Sequence, residues 1–165
     1  MAPIKSTNDP ALRSWIKVPE GSDFPLQNLP FGIFTKGASS PRAATIIGKT
    51  VIDLYALARK GYLKETGIDP EVFHKEFLND FISLGKPAWQ ALRLRLSELF
   101  LKENPQLRDR TADHADILFP YSAVKMHLPV RVGDYTDFYS SIEHATNVGI
   151  MFRDPGNALL PNWIR

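Results

Sequence analysis

A two-residue break, Gly48-Lys49, set between the β-branched runs AATII and TVIDL, is the feature that most constrains this chain. A glycine at the first position of so short a connection marks a tight hairpin, so the two runs are expected as adjacent strands of one sheet. The run FGIFT, from Phe31, is aromatic and β-branched in the same way and adds a third candidate strand. Downstream the apolar period changes. Asp53 can cap a helix over LYALARKGYL with Gly61 near its end, and Asp69-Pro70 reads as an N-cap followed by proline at the first helical position. Phe73, Phe77, Phe81 and Leu84 then share one face of a second helix that Gly85 ends. A third helix starts at Pro87 and carries Trp89, Leu92, Leu96, Leu99 and Phe100 as its apolar stripe. Strands followed by helices, with no repeat of twenty residues or more, predict a barrel-like or α+β unit and exclude solenoids and propellers.

Composition narrows the function classes. At 165 residues, 44% hydrophobic and 23% charged, the chain can build one ordinary domain, or a small one with part of another, around a packed core. Twenty Lys and Arg against 18 Asp and Glu give a net charge of +2, too even for a dedicated nucleic-acid binder. With no cysteine the chain is neither a disulfide scaffold, a zinc finger nor a thiol enzyme. The first twenty residues lack the apolar segment of a secretory signal, and no stretch approaches the ~18 apolar residues of a membrane span. A soluble, cytoplasmic protein is expected.

Residues 1–30 are broken by Asp9-Pro10, Pro19, Gly21 and Pro25 and read as an irregular opening segment, with a short helical turn after Asp9. After Pro105 a polar connection, QLRDRTADHAD, leads into the extended run ILFPYSAVKMHLPVRVGDY, interrupted by Pro120 and Pro129. Pro129 is the expected boundary, giving domains 1–128 and 129–165.

Reactive side chains concentrate in residues 133–154, which hold Asp134, Asp137, Tyr139, Glu143, His144 and Arg153. Ser140 and Glu143 have the spacing of a capping box, so a helix is expected from Ser141 through His144 towards Gly149, with a turn at Asp154-Pro155-Gly156. Asp137 supplies a hard oxygen suited to Ca²⁺ or Mg²⁺, His144 can take a proton from water near neutral pH, Arg153 can clamp a carboxylate, and Tyr139 can donate to an oxygen. Together they suggest metal-assisted hydrolysis of an anionic substrate. Residue types alone leave plainer roles open: a solvent-facing or core histidine, a turn aspartate, a core tyrosine, and a solvated Arg153-Asp154 pair. His74, His114 and His127 are scattered without metal-ligand spacing and are expected to be structural. Lys86, Arg93, Arg95 and Lys102, interleaved with Glu98 and Glu103, read as a solvated helix face.

The segments SDFPLQNLPFGIF and VGDYTDFYSSIEHATNVGIMFRDPGNALLPNW carry a further signal. They resemble the fumarylacetoacetase (fumarylacetoacetate hydrolase) family, the second over a long and nearly gapless pattern. The resemblance implies a mainly β fold with helices: an N-terminal Src-homology-3-like β-barrel, then the start of a β-sandwich-roll catalytic domain that forms a homodimer. It implies a hydrolase acting on carbon-carbon bonds in ketonic substances, which splits 4-fumarylacetoacetate into fumarate and acetoacetate in tyrosine and phenylalanine catabolism. Asp137 would then be a ligand of Ca²⁺ or Mg²⁺, Tyr139 and Arg153 would bind the diketo-acid substrate, and His144 would be the catalytic general base. Hydroxide formed at His144 would attack a ketone carbon while the cation holds the departing enolate.

The family pattern also implies further acidic ligands, a carboxylate orienting the histidine and a lysine, all beyond Pro161-Asn162-Trp163. Since this sequence stops at Arg165, an incomplete and by itself inactive chain is expected. A non-catalytic barrel-type binding or assembly module, packing through the apolar strands after Pro120, is the alternative. Neither nucleic acid nor membrane is expected as a partner.

Overall fold

The computed structural model describes residues 6–136 and 140–163. The chain divides into two compact units, Met1–Arg131 and Val132–Arg165. In the first, β1 (Phe31–Thr35), β2 (Arg42–Ile47), β3 (Thr50–Asp53), β4 (Leu118–Pro120) and β5 (Lys125–His127) form an antiparallel sheet in the order β4-β3-β2-β1-β5. The hairpin is where the sequence places it: Ile47 pairs with Thr50 across Gly48-Lys49, and Gly48 has φ +57°. A side chain there would also strike the Lys17 carbonyl, so glycine is required twice over.

The sheet has to curl. Its outer strands β4 and β5 are joined only by Tyr121–Val124, and in a flat sheet four strand spacings would set them ~19 Å apart. Fully extended, the chain from Pro120 to Lys125 reaches at most about 17 Å, and a 3-10 turn at Tyr121–Ala123 shortens it. The edges are therefore drawn towards each other, and the unit is α+β and barrel-like, as the sequence led us to expect. Alternation along each strand divides the apolar residues between two faces. Phe34, Ala44, Val51 and Phe119 pack together on one face. Ile33, Ala43, Ile47 and Ile52 join the main core on the other, against the helices.

Those helices are α1 (Leu54–Arg59), α2 (Asn79–Ser83), α3 (Gly85–Phe100), α4 (Pro105–Arg108) and α5 (Thr111–Ile117). Asp53 caps α1 by accepting the Ala56 N–H at 2.9 Å, as its position suggests. Of the α3 stripe, Leu92, Leu96, Leu99 and Phe100 are inaccessible to solvent, each contributing about 1.5–3 kcal/mol, while Trp89 is half-buried and the helix starts at Gly85, two residues ahead of Pro87.

The second expected helix is not continuous. A 3-10 turn at Pro70–Phe73 is followed by a bend, and α2 starts only at Asn79. The Leu78 N–H is taken by the Pro129 carbonyl at 2.8 Å, while Asn79 both donates to and accepts from the Arg131 backbone. These distant partners divert the chain, so Phe73 and Phe81 are buried but Leu84 is 46% exposed.

Two further readings are corrected. The polar run after Pro105 forms α4 and α5, each buried through a single apolar residue, Leu107 and Ile117. Arg93 and Arg95 are not simply solvated: Arg93 donates to the Gln27 carbonyl, and Arg95 donates to the Tyr62 carbonyl and Gln106 Oε1, each at 2.8 Å. The three histidines outside the reactive segment are structural. His114 stacks on Trp15, His74 on Tyr55, and His127 bonds Thr35 Oγ1. Among the described residues no helix is long and apolar enough to cross a membrane.

Candidate functional site

The second unit carries α6 (Ile142–Ile150), followed by 3-10 turns at Pro155–Asn157 and Pro161–Trp163. Its N-cap is Ser141, one residue later than the sequence spacing suggests, and Ser141 Oγ accepts the His144 N–H at 3.2 Å. The Ser141 hydroxyl in turn donates to Glu143 at 2.7 Å, so the expected Ser140–Glu143 capping box is replaced by a Ser141-centred cap. That donation, with the Glu143 backbone N–H, holds the Glu143 carboxyl below its ordinary value. His144 therefore sits in the first turn of α6 with its backbone fixed and its side chain on the exposed side. Asp137 and Tyr139 lie outside the described residues.

Arg153 follows the end of α6. Its N–H donates to the Gly149 carbonyl at 2.9 Å, and its Nη1 donates to the Ala158 carbonyl at 3.1 Å. Asp154 caps its own turn by accepting the Gly156 N–H at 2.9 Å, so Arg153 and Asp154, both exposed, each bond a main-chain atom instead of pairing with each other. Sequence reading missed Ala158, whose contribution is a main-chain oxygen that no residue type signals. A glycine near the end of a helix, where it lowers helix stability, was the available hint. The unit thus holds an imidazole and a guanidinium on one short helix and the turn after it.

Among the described residues no group of three or more His, Asp or Glu side chains is placed to hold a metal. A hard cation needs about six oxygen ligands, so these residues do not by themselves fit one.

In the first unit, an open cleft of about 1070 Å³ lies along the face of Ala44, Ile46 and Val51, bordered by the 19–24 loop and by Tyr121 and Met126. Its walls are mainly apolar, and it holds no nucleophile-base pair. A smaller recess at the α1 end contains the buried Asp53, 2.6 Å from Arg42 Nε. Burial pushes the Asp53 carboxyl up, against the Ala56 N–H and the Arg42 charge, which pull it down. Within this pair Asp53 caps α1 through one oxygen and ties β3 to β2 through the other, which accepts Arg42 Nε.

Residues 27–129 match the family described as Fumarylacetoacetase N-terminal. The chain is 48% identical over 158 residues to a fumarylacetoacetase of Dictyostelium discoideum, covering 93% of this chain and 36% of that protein. It is 44% identical over 153 residues to the Caenorhabditis elegans fumarylacetoacetase (92% and 37%) and 44% identical over 152 residues to the human one (92% and 36%). The chain thus spans little more than a third of the length of these relatives. A match over 92% of the chain necessarily runs through both compact units.

Proposed function

This chain belongs to the fumarylacetoacetase N-terminal family, and we propose that the protein carrying it is a fumarylacetoacetase, hydrolysing 4-fumarylacetoacetate to fumarate and acetoacetate. The observation that supports this most is the 44–48% identity to proteins of that name over nearly the whole chain.

In this reading His144 takes a proton from water, and the hydroxide so formed attacks the ketone carbon on the fumaroyl side. As that carbonyl reforms, the bond to the neighbouring methylene breaks. Its electron pair moves onto the methylene carbon, where the adjacent ketone delocalises it as an enolate. A proton returned to that carbon completes acetoacetate. Arg153, oriented by the Ala158 carbonyl, pairs with a substrate carboxylate, and Tyr139 donates to a substrate oxygen. The same proposal assigns Asp137 to a Ca²⁺ or Mg²⁺ ion as one of its several oxygen ligands. A homodimer and a cytoplasmic location belong to it as well.

The test is loss of fumarylacetoacetate absorbance in the natural full-length polypeptide. Turnover is expected, with His144→Ala lowering kcat by at least ~10²-fold and Asp137→Ala weakening the dependence on added Mg²⁺ or Ca²⁺. The 165-residue chain assayed by itself is expected to be inactive. Full-length protein that folds yet leaves the substrate untouched would overturn the proposal. The second reading, a barrel-type binding or assembly module, is favoured by the open apolar cleft on the sheet and would then take precedence.

A further inference from the structure

We propose that Gly149 is a positioning residue for Arg153, an inference that rests on the reading of Arg153 as a carboxylate clamp. Glycine is a poor helix former, yet it stands one residue before the end of α6. Its backbone conformation does not demand it, because Gly149 is not among the glycines with positive φ. What demands it is proximity. A Cβ on Gly149 would lie 2.7 Å from the Ala158 carbonyl carbon and 3.1 Å from its Cα, and nearer still to the carbonyl oxygen. All three are main-chain atoms, so no side chain can swing aside to make room.

The carbonyl admitted by this bare Cα is the one that accepts the Arg153 guanidinium at 3.1 Å. The Gly149 carbonyl meanwhile accepts the Arg153 main-chain N–H at 2.9 Å. Gly149 therefore fixes Arg153 at both ends, directly through its own oxygen and indirectly by leaving space for the oxygen of Ala158. Among the described residues the guanidinium makes this one hydrogen bond, through Nη1. The Nε and Nη2 N–H groups remain as a parallel pair, the geometry that takes a carboxylate with two bonds. A methyl at position 149 would push Ala158 away, release Nη1 and let the fork rotate. His144, anchored five residues earlier through the Ser141 cap, would keep its place.

The experiment is a double-mutant cycle in the natural full-length protein, with fumarylacetoacetate as substrate and KM and kcat measured separately. Gly149→Ala is expected to raise KM roughly ten-fold while kcat stays within about three-fold, the same pattern that is expected of Arg153→Gln. In the Arg153→Gln background, Gly149→Ala should add little, because the two act through one group. An unchanged KM for Gly149→Ala, or an equal KM penalty in both backgrounds, would overturn the positioning role and leave the clamp reading intact. An unchanged KM for Arg153→Gln would instead remove the clamp reading and this inference with it.

Should Gly149→Ala fail to fold by circular dichroism, Asp154→Ala replaces it. That exposed side chain caps the turn leading to Ala158, and its loss should raise KM about two- to five-fold, again only while Arg153 is present.

Discussion

Two aspartates show how burial and partners decide what a carboxylate does for stability. Asp113, on α5, accepts the Tyr62 hydroxyl at 2.5 Å and Lys60 Nζ at 2.9 Å, and these bonds hold its carboxyl below the ordinary value. Tyr62 is correspondingly pushed up to about 12, first by burial and then by its bond to Asp113. Asp53 is displaced the other way by burial. The signs follow from linkage. Asp113 contributes stability above the unfolded carboxylate value of 3.8 that is lost as pH falls through its lower folded value. Asp53 contributes most below 3.8 and loses that contribution as pH rises through its higher folded value. Because the two oppose, the wild-type pH curve alone cannot separate them. Asp113→Asn should lower the urea midpoint at pH 7, and the gap to wild type should narrow as pH falls below 3.8. A gap of constant size across that range would show that the Tyr62 and Lys60 bonds do not set the Asp113 titration. The capping role of Asp53 is legible from its place before an apolar helix. Its burial against Arg42, eleven residues earlier, is not.

Among the elements, the hairpin is the one whose local signal and tertiary environment agree most closely. Gly48 meets two independent demands, a φ of +57° and close approach to the Lys17 and Val18 backbone and the Pro19 ring, and its N–H also donates to the Phe24 carbonyl at 2.8 Å. Gly48→Ala should therefore destabilise the chain by about 1–3 kcal/mol or more, read as a lower thermal midpoint. Gly37→Ala, with similar φ but open surroundings, should cost less, and equal losses would mean that backbone conformation alone matters. The α3 stripe was equally legible, because its period continues over several turns. The second helix was not: a spacing of four, four and three promised one face, but Pro129 and Arg131 compete for the backbone and side chain of residues 78 and 79. α4 and α5 escaped for a simpler reason, since a helix that buries one apolar residue leaves no period to find.

For the molecule as a whole, stability is unevenly spread. The first unit buries a continuous core from Ile16 to Ile117, whereas Ala145, Gly149 and Ala158 are the buried residues of the second among those described. Hydrogen exchange followed by mass spectrometry should find the amides of β2, β3 and α3 slowest and those of α6 faster by roughly 10²-fold or more. Comparable protection in α6 and β2 would show that the second unit gains its order from something other than its own burial. The sequence by itself determined the hairpin, the caps at Asp53 and Asp69, the α3 stripe, the family, and the segment in which the reactive side chains lie. Each rests on residues close together in the chain, where spacing is geometry. Tertiary structure alone decided the curl of the sheet, the break before Asn79 and the Ala158 carbonyl that orients Arg153. It also set ties such as that of Thr35 to His127, 92 residues apart. Such partners are chosen by which backbone atoms folding brings within reach, and a main-chain oxygen looks the same at every position of a sequence.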